Sequence, residues 1–227
     1  MSVPPVSPAR RVIAELVGTV FLLATVIGSG IMGERLAGGN VAVALLANAI
    51  ATGGALVALI TTFGPVSGAH FNPAVTLSAA WQRALPWREV PAYVVAQLVG
   101  AVAGVAIAHL MFGEPLFFAS QKARAGGAQF LSEFVATFGL LTVIWGCVRC
   151  APGSVPVTVA AYITAAYWFT SSTSFANPAV TLARSMSDTF AGIRPSDAPA
   201  FIAAQLVGGA AATLLAAWLF PPPPDPR

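Results

Sequence analysis

The amino-acid sequence predicts an all-α membrane protein: six transmembrane helices and two re-entrant half-helices, ordered as an inverted 3+3 repeat. Three observations carry that expectation. The 227 residues are 57% hydrophobic and only 8% charged, with a mean hydropathy of +0.80, a balance suited to lipid and foreign to a soluble domain of this size. A bilayer core about 30 Å thick takes roughly 20 apolar residues per helical span, and six tracts approach that length, at residues 12–32, 41–62, 90–112, 130–148, 155–171 and 198–220. Finally, three short signatures each occur twice, in the same order.

In chain order, the first tract follows eleven residues that are rich in Pro and end in Arg10-Arg11. No small-residue cleavage site comes after it, so a retained first helix is expected rather than a removable signal peptide. Six spans return the chain to its starting side. Arg10, Arg11, Arg83, Arg88, Arg149 and Arg227 fall on that side, against Arg35, Lys122, Arg124 and Arg194 opposite. The excess predicts cytoplasmic termini and a multi-pass protein of the inner or plasma membrane. The net charge of +3 follows from this bias, and no basic run is dense enough for nucleic acid. Cys147 and Cys150 close the fourth span on the cytoplasmic side, where reducing conditions disfavour a disulfide. Lacking further ligands nearby, they predict no metal site. Residues 221–227 are too rich in Pro for helix and are expected to form a disordered tail.

The repeat sets the architecture. Glu15-Leu-Val-Gly-Thr19 in the first span is echoed by Glu133-Phe-Val-Ala-Thr137 in the fourth, and Ala96-Gln-Leu-Val-Gly100 in the third by Ala204-Gln-Leu-Val-Gly208 in the sixth. Between each pair stands Asn72-Pro-Ala-Val-Thr-Leu or its copy Asn177-Pro-Ala-Val-Thr-Leu. Glu133 follows Glu15 by 118 residues, Asn177 follows Asn72 by 105, and Gln205 follows Gln97 by 108. A tandem duplication is therefore expected within one domain of residues 1–227, with copies over residues 10–112 and 128–220. Three spans per copy is an odd number, so the second copy must enter the membrane from the opposite face and be inverted. Gly100 and Gly104 form a small-xxx-small pattern that lets helix backbones approach closely.

Each Asn-Pro motif opens an apolar stretch of about ten residues, 72–81 and 177–186, roughly 15 Å of helix and half a bilayer. Two such half-helices, entering from opposite faces, can meet at the midplane. Asn72 and Asn177 fit the N-cap, Pro73 and Pro178 the first helical position, and Ala74 and Ala179 continue the turn. With its oxygen capping the helix, each Asn is expected to aim its NH₂ donors into a shared pore. Both half-helix N-termini carry about half a positive charge, which repels cations and hydronium and admits neutral hydrogen-bonding molecules. Passive conduction of small uncharged polar solutes is the expected function.

The doubled motif within a doubled three-span unit, with Ser67-Gly-Ala-His70-Phe-Asn-Pro-Ala-Val-Thr as its first copy, resembles the major intrinsic protein family of aquaporins and aquaglyceroporins over nearly the whole chain. The resemblance implies a homotetramer in the lipid bilayer, one pore per protomer and no cofactor. It also implies that Glu15 and Glu133 accept hydrogen bonds from the re-entrant loop backbones, and that His70 lines the pore. From the residues alone, a proton relay is the default role of intramembrane carboxylates in transporters, but the symmetry of this pair favours a structural one, and His70 reads equally as a packing histidine.

The same resemblance exposes a departure. Most members of the family place Arg directly after the second Asn-Pro-Ala, as one wall of an outer filter; here that position is Val180. Arg184 comes one turn later and is expected to pair with Asp188 at i,i+4 and anchor the half-helix. Counting from the motifs puts the other filter positions at Thr52, Ala165 and Ser174, a wide ring of small side chains. Such a ring implies glycerol-like polyols, urea and neutral metalloid acids such as arsenous acid besides water, similar to bacterial aquaglyceroporins associated with arsenic resistance. Three other readings remain open: a water-selective aquaporin, an ion-coupled secondary transporter with inverted repeats, and a closed structural protein. His70 and His109 are far apart in sequence and neither glutamate has a second carboxylate near it, so no enzyme is expected.

Overall fold

The computed structural model describes residues 6–220, which contain helices and loops and no strand. The Pro-rich segment expected as a tail, 221–227, lies outside the described residues. Helix α1 (Pro8–Leu36) starts where the sequence supplies a cap: Ser7 Oγ accepts the Arg10 N–H and Pro8 takes the first turn. It exceeds the expected tract by a turn at each end. Helix α2 (Val41–Ser67) is capped by Asn40, whose side-chain oxygen accepts the N–H groups of Ala42 and Val43. It runs five residues past the expected tract, which ended at residue 62. Pro65 cannot donate to Thr61 O, and the helix stops within a turn of it at Gly68, which takes the left-handed conformation at φ 88°.

Half-helix α3 (Pro73–Trp81) is followed by a 3₁₀ turn (Trp87–Glu89) and by α4 (Val90–Phe112). The second half repeats the order: α5 (Gly127–Cys150), a 3₁₀ turn (Pro152–Ser154), α6 (Val155–Phe169), half-helix α7 (Pro178–Arg184) and α8 (Ala198–Leu219). Five helices, α1, α2, α4, α5 and α8, are long and apolar enough to cross a membrane by themselves. Helix α6 has 15 residues, about 22 Å, and its leading 3₁₀ turn adds about 6 Å, so the pair also reaches across a hydrocarbon core. Half-helix α7 ends two residues short of the expected stretch.

The packing follows the repeat. Helix α1 lies against α2 and α4, α5 against α6 and α8, and α2 and α6 join the halves. The α1–α4 contact is close because Gly100 has no side chain: a Cβ there would stand 2.6 Å from Leu16 O. Gly208 does the same for α8, where a Cβ would stand 2.5 Å from Phe134 O. In each half the repeated Ala-Gln-Leu-Val-Gly signature thus presses its helix onto the one bearing the repeated glutamate. The outward faces of the bundle carry large apolar side chains, among them Phe21, Val99, Leu131, Val207 and Leu214, as a lipid-facing surface requires.

Candidate functional site

The two Asn-Pro-Ala motifs meet in the middle of the bundle. Asn72 Oδ1 caps α3 by accepting Ala74 N–H at 2.9 Å. Asn177 Oδ1 caps α7 by accepting Ala179 N–H at 3.0 Å and Val180 N–H at 3.3 Å. The amide nitrogens then cross over. Asn72 Nδ2 donates to Ala176 O and Asn177 Nδ2 to Phe71 O, both at 2.8 Å. One of the two NH₂ hydrogens on each Asn is therefore committed to the opposite loop, and a single hydrogen remains for a solute, where the sequence reading expected both. The crossing ties fix the half-helices end to end.

The approach to each motif is strained in the same places. Gly68, Ala69 and Phe71 have φ of 88°, 51° and 50°, and Thr173, Ser174 and Ala176, at the equivalent points of the repeat, have 62°, 49° and 49°. Left-handed backbone costs a non-glycine residue about 1–2 kcal/mol, so something must hold these turns. Glu15 and Glu133, both fully buried, do so. Glu15 accepts the N–H groups of His70 and Phe71 at 2.9 and 2.7 Å, the Ser67 hydroxyl at 2.6 Å and Gln97 Nε2 at 2.9 Å. Glu133 accepts Phe175 and Ala176 N–H at 2.9 Å and Gln205 Nε2 at 2.6 Å. Charge-assisted bonds of this kind are roughly twice as strong as neutral ones.

Sequence reasoning missed the next link. Gln97 Nε2 also donates to Thr76 Oγ1, whose hydroxyl donates to Asn72 O; Gln205, Thr181 and Asn177 O repeat the chain. Both pairs were visible as repeated letters in the Ala-Gln-Leu-Val-Gly and Asn-Pro-Ala-Val-Thr signatures. What the letters could not show is that they touch.

A cavity of about 440 Å³ passes between the halves, lined by Asn72, Asn177, His70, Thr52, Ser174 and Val180 among mainly apolar side chains. His70 combines the two roles that the sequence left open. It borders the cavity, while its Nδ1 lies 3.1 Å from Thr76 Oγ1 and its ring packs on Tyr93 at 5.4 Å. One expected filter position is wrong: Ala165 is exposed on the outside of α6 and does not border the cavity. Ile163 and Tyr167 do. They share one face of α6, and Ala165, two residues from each, falls about 200° round the helix from Ile163. The count back from the motif missed this helical phase. The wall is bulkier for it, since Tyr167 OH stands 3.2 Å from Thr52 Oγ1.

Nor does Arg184 pair with Asp188. That carboxylate accepts Gln121 N–H at 2.8 Å and the Ser120 hydroxyl at 3.4 Å, from the loop between α4 and α5. The same loop brings Arg124 beneath the second motif, donating from Nε to Gly192 O and from Nη1 to Ser172 O, both at 2.9 Å. Burial pushes the Arg124 guanidinium down to about 10, still far above neutrality, so it remains a cation. His109 closes this side, with Nε2 2.8 Å from Ser187 Oγ and Nδ1 2.7 Å from Leu116 O. On the face bearing the chain ends, Cys147 Sγ lies 3.2 Å from Thr158 Oγ1 and Cys150 is exposed.

Asp197 secures the loop to α8. Its carboxylate accepts Arg124 N–H at 2.8 Å and Arg194 Nη2 at 2.9 Å, and the Arg194 bond, with the Arg124 amide assisting, holds its pKa below the ordinary 3.8. A lowered folded-state pKa stabilises the protein above the unfolded value and loses that contribution as pH falls through the folded one. Acid melting curves should show it: below pH 3.8 the parent loses stability more steeply than Asp197→Asn, and parallel curves would remove Asp197 from the account.

The chain matches the Major intrinsic protein family over residues 3–167. It is 55% identical over 213 residues to Aquaglyceroporin AqpS of Rhizobium meliloti (strain 1021), covering 94% of this chain and 91% of that protein. It is 37% identical over 139 residues to Aquaporin NIP1-1 of Oryza sativa subsp. japonica, covering 60% of this chain and 48% of that protein. The X-ray structure of the aquaglyceroporin from Plasmodium falciparum shares the fold, with a TM-score of 0.73 over 92% of this chain and 95% of that one at 20% identity. Two cross-tied half-helices inside a bundle of membrane helices, and a family match over most of the sequence, lead to one conclusion: the chain belongs to the major intrinsic protein family and is a multi-pass membrane channel, not an enzyme.

Proposed function

We propose that this channel passively conducts small uncharged polar solutes: glycerol-like polyols, neutral metalloid acids such as arsenous acid, and water. The observation that carries the reading is the cavity between the half-helices, where each Asn keeps one amide hydrogen for a solute oxygen and Val180 borders the path directly after the second motif. The mainly apolar lining suits the carbon face of a polyol, and the convergent amides suit its hydroxyls. AqpS, the 55% identical relative, is named an aquaglyceroporin. Filter positions Thr52, Ser174 and Val180 belong to the proposal, with Ile163 and Tyr167 standing where the sequence count had put Ala165.

The bulk of Tyr167 favours a second reading, a water-selective pore. Swelling of proteoliposomes separates the two. Glycerol and arsenous acid should both enter alongside water, whereas fast water flux with no solute entry would remove the polyol reading. Val180→Arg narrows the path and should cut glycerol flux about tenfold or more, a barrier change of about 1.4 kcal/mol, with a smaller loss of water flux.

Three further features belong to the same proposal. The Glu–Gln–Thr–Asn chains present in each half support reading residues 10–112 and 128–220 as inverted repeats of one domain. The arginines that gather on the face of the chain ends, with Arg11 paired to Glu89 and Arg149 bound to Phe220 O, support cytoplasmic termini in the inner or plasma membrane. Family membership supports a homotetramer with one pore in each protomer.

A further inference from the structure

We propose that Arg184 is the charged, specificity-determining residue of this pore: a cation set one helical turn beyond Val180 that bars cations and protons while offering hydrogen-bond donors to neutral solutes. The inference rests on the cavity being the conduction path.

Arg184 is 2% exposed and borders the cavity. Its guanidinium lies over the Phe175 ring, with Cζ 3.3 Å from the ring centroid, and its Nε donates to Ala191 O. Among the described residues no ion pair includes Arg184, and no hydrogen bond leaves its Nη atoms. Asp188, the acid at i+4, is occupied by Ser120 and Gln121. Glu133 is occupied by Phe175, Ala176 and Gln205.

A buried charge needs a partner. Here the aromatic face supplies part of the compensation, and whatever enters the cavity must supply the rest. Arg124 adds a second charge of the same sign, its Cζ 5.0 Å from the same Phe175 ring. In a narrow path with low-dielectric walls such fields are weakly screened. A cation approaching α7 from this end meets repulsion before it reaches the amides, whereas a hydroxyl oxygen can accept from Nη. An anchoring role accounts for the Nε bond and the contact with Phe175. It leaves unexplained why the residue borders the cavity with its Nη atoms unbonded.

The test measures ion flux and solute flux separately in proteoliposomes holding the full chain. Arg184→Gln should raise potassium and proton flux about tenfold or more while glycerol still passes, and Arg184→Lys should keep ion flux near the parent level. If Arg184→Gln does not reconstitute, Val180→Glu decides: a carboxylate four residues before Arg184 on the same half-helix neutralises it in place, and ion flux should rise tenfold over Val180→Gln. A glycerol-conducting Arg184→Gln, or failing that a glycerol-conducting Val180→Glu, whose ion flux stays at the level of its comparison protein overturns the inference. A parent protein that passes neither glycerol nor water overturns the conduction path, and the inference with it.

Discussion

Glu15→Ala is expected to abolish conduction while leaving the helices assembled. The carboxylate receives four bonds, and two of the donors are backbone N–H groups next to left-handed residues. Each buried N–H left without a partner costs about 1–3 kcal/mol, and Gln97 Nε2 keeps Thr76 Oγ1, so the two backbone groups set the loss at about 2–6 kcal/mol. It falls on the loop before α3, where Ala69 and Phe71 have no other reason to keep positive φ. Once that loop relaxes, Phe71 O leaves Asn177 Nδ2 and the crossed tie opens. Water and glycerol flux should fall to the level of empty vesicles, with helical circular dichroism nearly unchanged because α1, α2 and α4 still pack. Glu133→Ala should behave alike but lose about 1 kcal/mol less, since it accepts three bonds and no hydroxyl. A Glu15→Ala protein that conducts and melts like the parent would leave the loop without its proposed support.

Two neighbouring glycines should respond in opposite directions. At Gly208 an added methyl meets Phe134 O at 2.5 Å, a backbone atom that cannot step aside; at Gly209 the nearest atom is Leu141 Cδ2 at 3.5 Å, an ordinary contact. Gly208→Ala forces α8 off α5 and should cost about 1–3 kcal/mol, the usual range for overpacking. Gly209→Ala keeps the packing and should gain up to about 1 kcal/mol from helix propensity. Melting in detergent reads both, with a shift of about 2–4 °C per kcal/mol. Gly100→Ala, whose methyl would meet Leu16 O at 2.6 Å, should follow Gly208→Ala. Equal melting points for the Gly208 and Gly209 variants would show that the α5–α8 contact tolerates a methyl where the structure leaves no room.

How far the sequence could be read varied from residue to residue. The spans were legible because lipid demands long apolar helices. The half-helices were legible because Asn-Pro is a local start signal, satisfied by atoms two and three residues away. Helix ends were less so. Helix α2 runs on through Pro65 and stops only at the left-handed Gly68. Half-helix α7 ends at Arg184, as Ser187 is drawn to His109 and Ile193 N–H returns to Arg184 O. Those contacts come from another helix and from a later segment, and no local pattern announces them.

By itself the sequence determined the class of fold, the repeated signatures and the meeting of Asn72 with Asn177, because apolar length, capping and repetition act within a few residues or recur along the chain. The tertiary structure alone decided which face of α6 borders the cavity, that the Asn amides cross to the opposite loop, and that Arg184 lies over Phe175 with no ion-pair partner among the described residues. Each of these depends on the rotational phase of a helix or on atoms brought together from distant segments, and residue order does not encode direction in space.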